Sequence, residues 1–232
     1  MADVGAALVL ADGDIDSRTA LDLSWPGWAD RIGLVVAADG GARHAAALGM
    51  SIDRWVGDGD STDAAELDRL RGLGVPIDLH GTDKDESDAE LAIEAAIRFG
   101  ADAVTVLGAF GGVRLDHALA NVSLLAHPGL GSRPAVLLTA AARVRLVRAP
   151  AGDGRPVEVP LQGRTGDLVS LIPFGVDAAG VTTDGLRYPL RDEPLVFGSA
   201  RGLSNVRLSE TASVVVGSGA ILVVETPARL SQ

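Results

Sequence analysis

Up to about position 140 the chain alternates short apolar runs with stretches that carry apolar residues at helical spacing. The runs fall at 6–10, 32–37, 55–57, 77–79, 103–107 and 135–138. They are apolar on both faces, so each strand must be covered on both sides, as in a parallel sheet flanked by helices. Helices are expected around 42–48, 64–73, 89–99 and 115–126. Ala89, Ala92, Ile93, Ala96 and Ile97 make one apolar stripe, and Leu115, Ala118, Leu119, Val122, Leu125 and Ala126 make another. Ser87 with Glu90 fits a capping box, and Asp63 with Glu66 is a weaker version. Strand–helix alternation of this kind specifies a doubly wound, mostly parallel α/β domain, expected over residues 1–142.

From residue 143 the texture changes. Helical stripes stop, Gly and Pro recur every few residues, and β-rich runs follow at 168–172, 195–197, 212–216 and 220–224. That pattern suits a small antiparallel sandwich or barrel over residues 143–232. The stretch 149–156 (APAGDGRP) reads as a loop.

Charge and composition narrow the function. Twenty Lys+Arg against 31 Asp+Glu leave a formal charge of −11, which argues against nonspecific binding to nucleic acid or an anionic membrane. The absence of cysteine removes disulfide scaffolds, zinc–cysteine sites and thiol catalysis. Aromatics at 3% leave no stacking platform for bases. The opening MADVGAALVLADGDID carries no basic region and places acids inside its first apolar run. No apolar stretch approaches the roughly 18 residues of a membrane span. A soluble cytoplasmic protein is the expectation.

The chemistry sits where apolar runs end. In Trp55-Val56-Gly57-Asp58-Gly59-Asp60-Ser61 two carboxylates follow a strand at i and i+2. In extended backbone both point the same way and converge on one hard cation. A solvated Asp/Gly turn is an equally good account of this segment alone. Thr82-Asp83-Lys84-Asp85-Glu86-Ser87-Asp88 precedes a helix. Its Asp88 is explained by the helix dipole as well as by a metal, and Lys84 is a candidate phosphate partner. The glycine turn Gly111-Gly112, with Arg114 behind it at a helix start, suits phosphate oxygens. It is also explained as a plain tight turn. Arg114, His117 and Asn121 share a face opposite the apolar stripe of their helix. Asp39-Gly40-Gly41 marks another strand-to-helix junction, and Ser204-Asn205 lies in a turn of the β-rich half. Neither a dinucleotide GxGxxG nor a Walker motif is present. Separated acidic clusters and glycine turns at strand ends are the inventory of metal-assisted phosphoryl-type transfer.

Taken in order, five pieces resemble the thiamin pyrophosphokinase (thiamine diphosphokinase) family. They are ADGGA at 38–42, GDGDS at 57–61, DKDESDAE at 83–90, GGVRLDHALANVSLL at 111–125, and GVTTDGLRYPL with GLSN between 180 and 205. The resemblance covers nearly the whole chain. It implies an α/β domain followed by a β-sandwich, and transfer of pyrophosphate from Mg-ATP to the thiamin hydroxyl with release of AMP. It further implies magnesium at Asp58, Asp60 and Asp88, and the nucleotide at Asp39, Gly40, Gly41, Lys84, Gly111, Gly112, Arg114 and His117. Arg114 and Asp116 would be catalytic, and thiamin would meet Asp116, Ser204 and Asn205. A homodimer with active sites shared between subunits is also implied. Two positions depart from the family pattern: Gly59 replaces the usual Phe between the aspartates, and Val206 replaces an acidic or aromatic residue. The competing expectations are a same-fold diphosphokinase for another alcohol, such as a hydroxymethyl-pterin, and a thiamin or nucleotide sensor without catalysis.

Overall fold

The run Ala6–Leu10 becomes strand β1 with every side chain buried, as the two-faced apolar pattern requires. The computed structural model describes residues 4–149 and 154–228. The chain divides into two units, Met1–Ala140 and Ala141–Gln232. In the first, β1 is joined by β2 (Ile32–Ala38), β3 (Arg54–Gly57), β4 (Ile77–Leu79), β5 (Ala103–Leu107) and β6 (Ala135–Leu138). They pair in parallel in the order β6-β5-β1-β2-β3-β4. Strand order reverses between β1 and β5, and the carboxyl ends beside such a switch point are where open α/β sheets bind ligands. The core beneath that edge gathers Leu8, Leu10, Leu21, Trp55 and Leu70.

Four α-helices cover this sheet: α1 (Arg18–Ser24), α2 (Ala64–Gly72), α3 (Asp88–Arg98) and α4 (Leu115–Leu124). Both expected caps form: the Asp63 carboxylate accepts the Glu66 N–H at 2.7 Å, and the Ser87 hydroxyl accepts the Glu90 N–H at 3.2 Å. α3 buries Ala89, Ala92, Ile93 and Ala96 of its expected stripe and packs against β1, β2 and β3. The helix expected at 42–48 is instead a 3-10 helix, Asp39–His44, followed by turns. Its backbone is pressed against the end of β1, where a Cβ on Gly41 would lie 2.0 Å from the Leu10 carbonyl oxygen. The short α1 buries only Leu21 and gave no periodic signal.

α4 corrects one expectation. Its apolar stripe does not turn wholly inward: Leu115 and Leu119 are exposed, and Asn121 on the opposite face is buried. The Asn121 amide donates to the Ala109 carbonyl at 2.9 Å, and this bond, with Leu125 buried behind it, fixes the rotation of the helix.

The second unit stacks two antiparallel sheets. One is β12-β9-β14-β7, built from Asn205–Val206, Leu168–Pro173, Ala220–Thr226 and Arg143–Arg148. The other is β11-β10-β13-β8, built from Glu193–Leu195, Ala178–Asp184, Ser213–Val216 and Val157–Pro160. Val169, Leu171, Val181, Leu195, Val214, Val216, Ile221 and Val223 fill the space between them. The expected strand at 195–197 lies two residues earlier. β7 escaped notice because Arg143, Arg145 and Arg148 interrupt its apolar pattern; Arg143 and Arg145 pair with the buried Glu225 of β14. Of the expected loop 149–156, residues 150–153 lie outside the described residues, and the rest has no regular structure. Among the described residues, no helix is long and apolar enough to cross a membrane.

Candidate active site

β2 and β3 end side by side, so Asp39 and Asp58 leave the sheet at the same edge. Asp39 is 1% exposed and adopts φ +42°, a left-handed conformation uncommon outside glycine. Its carboxylate accepts the Thr62 hydroxyl at 2.5 Å and the Ser61 N–H at 3.2 Å, and its carbonyl accepts the Trp55 indole N–H at 3.1 Å. Gly57 permits this approach, since a Cβ there would lie 2.8 Å from that of Asp39. Asp39 therefore holds the 58–62 loop from beneath. Burial pushes its carboxyl above the ordinary Asp range, against the pull of Thr62 and Ser61.

Carboxylate oxygens of Asp39, Asp58 and Asp60 lie within 4.8 Å of one another. Hard oxygen donors at this spacing fit a divalent cation of the magnesium type. Asp88, at the start of α3, meets the group through Lys84. The Lys84 ammonium donates to Asp58 at 2.9 Å and to Asp88 at 2.6 Å. Its hydrogen bond holds the Asp58 carboxyl below its usual value. Burial opposes the charged ammonium, but the bonds to Asp88 and Asp58 outweigh it and raise Lys84. Sequence resemblance groups Asp88 with Asp58 and Asp60. The geometry groups Asp39 with them and sets Lys84 between Asp58 and Asp88. Gly59, at φ +79°, gives the loop a turn that a side chain would strain.

The glycine turn follows β5. The Asp14 carboxylate, from the loop after β1, accepts the Gly112 N–H at 3.3 Å and packs on Gly111, where a Cβ would lie 2.3 Å from it. Gly40 and Gly41 have a similar packing reason, being closed in by Asp12 and the Leu10 carbonyl. Arg114 occupies the N-cap position of α4 without a capping side-chain bond, and its guanidinium grips Asp116 through bonds of 2.9 and 2.6 Å. Those bonds hold the Asp116 carboxyl far below the usual range. Both side chains are exposed, and so is His117.

In the second unit Ser204 adopts φ +57°, and its N–H donates to the Ser170 hydroxyl at 3.0 Å. The buried Asn205 side chain is occupied: it accepts the Tyr188 N–H at 2.9 Å and donates to the Tyr188 carbonyl at 2.7 Å. It clasps the backbone of Tyr188, whose ring is left 64% exposed. Tyr188 was not among the site residues expected from sequence, although it stands inside the GLRYPL stretch. The signal available was its being the single Tyr of an aromatic-poor chain.

Two family matches divide the chain. The thiamin pyrophosphokinase catalytic domain matches residues 28–137, and the thiamin pyrophosphokinase vitamin B1 binding domain matches residues 156–221. The thiamine pyrophosphokinase of Bacillus subtilis (strain 168) is 25% identical over 200 residues, covering 86% of this chain and 90% of that one. Thiamine pyrophosphokinase 1 of Oryza sativa subsp. japonica is 27% identical over 213 residues, covering 83% and 78%. The crystal structure of the Bacillus subtilis protein superposes with a TM-score of 0.80 at 23% identity, covering 96% of this chain and 99% of that one. With both of its domains matched in order, and with relatives of that name aligned over most of its length, the chain belongs to the thiamin pyrophosphokinase family.

Proposed function

We propose that the protein is a thiamine diphosphokinase, transferring the pyrophosphoryl group of Mg-ATP to the thiamin hydroxyl and releasing AMP. The observation that carries this reading is the carboxylate nest of Asp39, Asp58 and Asp60, tied through Lys84 to Asp88, at the sheet edge of a chain in this family. Residues 1–142 would hold metal and nucleotide, and residues 143–232 thiamin.

Asp58 and Asp60, with Asp39 or Asp88 beside them, are the residues to hold magnesium, which supplies charge neutralisation at the phosphate oxygens. The rest is positioning by the chain. The helix start of α4 offers backbone amides to phosphate, at the positive end of the helix dipole. Arg114 adds a forked donor. The thiamin oxygen forms a bond to the β-phosphorus as the bond to the AMP oxygen breaks. While gripped by Arg114, Asp116 is a weak base, so it acts by orienting the hydroxyl rather than by removing its proton early. Drawing Arg114 toward the phosphates restores that basicity as the hydroxyl proton becomes acidic.

Tyr188, held by Asn205, offers an aromatic face to thiamin, and Ser204 a hydroxyl beside it. The reading includes a homodimer with shared active sites. Val113, just before α4, and Leu115 and Leu119 on it are exposed and support it, since clustered exposed apolar side chains mark interaction surfaces.

The test is to incubate the protein with thiamin, ATP and Mg²⁺ and to separate the products. Equal amounts of thiamin diphosphate and AMP are expected, lost by about a thousandfold in Asp58→Ala. ADP with thiamin monophosphate, or binding of thiamin without AMP formation, would overturn the reading.

A further inference from the structure

Among the carboxylates at the ends of β2 and β3 stands one ammonium, and its position is unusual for a phosphate ligand. Lys84 does not reach outward. Its side chain is 13% exposed, and two of its three N–H donors are spent on Asp58 and Asp88. Without it, Asp39, Asp58, Asp60 and Asp88 would gather negative charge at one sheet edge. A lysine suits the task because its charge is compact and its four-carbon stem swings freely, unlike the planar fork of arginine.

We propose that Lys84 is the resident counter-ion of the nest, occupying the place between Asp58 and Asp88 until a divalent cation displaces it toward the substrate phosphates. This rests on the reading that Asp58 and Asp60 take a divalent cation. An ammonium and a doubly charged ion bonded to the same Asp58 carboxylate repel each other strongly at such range. Metal entry therefore weakens the Lys84–Asp58 bond. The freed ammonium remains tethered by Asp88, within the same loop, and faces whatever anion the metal brings. The nest is thus kept neutralised and folded before loading, and the lysine becomes available when phosphate arrives.

This role predicts a crossed result that the simpler roles do not. A lysine that only binds phosphate would leave the affinity for metal alone unchanged when removed. A lysine needed only for folding would weaken metal and nucleotide together. A displaced counter-ion competes with the metal, so removing it tightens metal binding and weakens nucleotide binding.

The experiment measures Mg²⁺ alone, without nucleotide, by calorimetry and by the shift in thermal midpoint, on the full chain and on Lys84→Met, Lys84→Arg and Asp58→Ala. In Lys84→Met the midpoint in EDTA falls, Mg²⁺ binds about tenfold tighter, and the KM for Mg-ATP rises about tenfold. Lys84→Arg keeps the charge, and its Mg²⁺ affinity stays near that of the parent. If Lys84→Met is unfolded in EDTA, Mg²⁺ restores its fold. Unchanged or weaker Mg²⁺ binding in Lys84→Met, or an unfolded variant that Mg²⁺ does not rescue, overturns the proposal while leaving the metal site intact. A parent protein that shows no Mg²⁺-dependent response, or an Asp58→Ala variant that keeps it, overturns the metal site itself and the proposal with it.

Discussion

The carboxylate nest and the start of α4 lie in the same unit and face the same chemistry, yet they are built in opposite ways. In the nest every side chain is held by another. Asp39 is buried under Thr62 and Ser61, Trp55 closes the floor, and Lys84 ties Asp58 to Asp88. At the start of α4, Val113 is 99% exposed, Leu119 is 63% exposed, and the exposed Arg114 and Asp116 hold one another. The first region is held in shape by bonds within its own chain. The second leaves charged and apolar side chains exposed. Mutations should therefore separate the two regions: damage to the bonds that hold the nest appears in stability as well as in turnover, and damage at α4 appears in turnover alone.

The sharpest contrast is between Asp39→Ala and Asp116→Asn. Removing the Asp39 carboxylate strands the Ser61 N–H and the Thr62 hydroxyl, at a cost of about 1–3 kcal/mol after the relief of a buried charge. Denaturant unfolding reads that loss. Asp116→Asn keeps the shape of an exposed side chain, so stability is unchanged while kcat falls about a hundredfold. A stable Asp39→Ala protein, or an unstable Asp116→Asn protein, would break the contrast.

A smaller effect tests what covers α4. Leu119→Asp places a charge on the exposed stripe. The unfolding free energy of the protomer changes by less than about 0.5 kcal/mol, as for other surface positions. Light scattering then shows a smaller particle, and activity falls about tenfold, because the proposed sites are shared. An unchanged particle with full activity would mean that this stripe is not the contact surface.

The strands of the first unit were legible because a parallel sheet covered on both faces leaves uninterrupted apolar runs. β1, β4, β5 and β6 begin and end where the sequence places them. The caps at Asp63 and Ser87 were legible for a similar reason, since capping is local chemistry. What failed was information carried by distant partners. The apolar stripe of α4 has the period of a core helix, and only the bond from Asn121 to Ala109 reveals which way it turns. β7 hid behind arginines whose partner, Glu225, lies about eighty residues away. At the candidate site, the closeness of Asp58 and Asp60 could be read from local spacing. That Asp39 lies under the same loop, and that Asn205 serves Tyr188, depends on two strand ends and two turns meeting in space.

The weakest expected effect marks where the nest ends. Glu66 sits one turn into α2, just beyond Thr62 and the Asp63 cap, and Arg69 bonds it at 2.7 and 2.6 Å. That hydrogen bond holds the Glu66 carboxyl below its ordinary value of 4.5, with burial and the Asp63 charge opposing. A depressed carboxyl contributes stability that is fully present above the ordinary value and is lost as pH falls through the lower, folded value. Because the pair is largely exposed on the arginine side, solvent screening limits it to about 0.3–0.5 kcal/mol. Glu66→Gln therefore lowers the thermal midpoint by about 1 °C at pH 7, and the difference shrinks as pH falls below the ordinary value and through the lower, folded one. Mg²⁺ affinity stays at the parent value, because the Asp63 cap and the Thr62–Asp39 bond are untouched. A change in Mg²⁺ affinity on Glu66→Gln would show that the preorganised region extends past its cap into α2, and that the helix helps to hold the carboxylates in place.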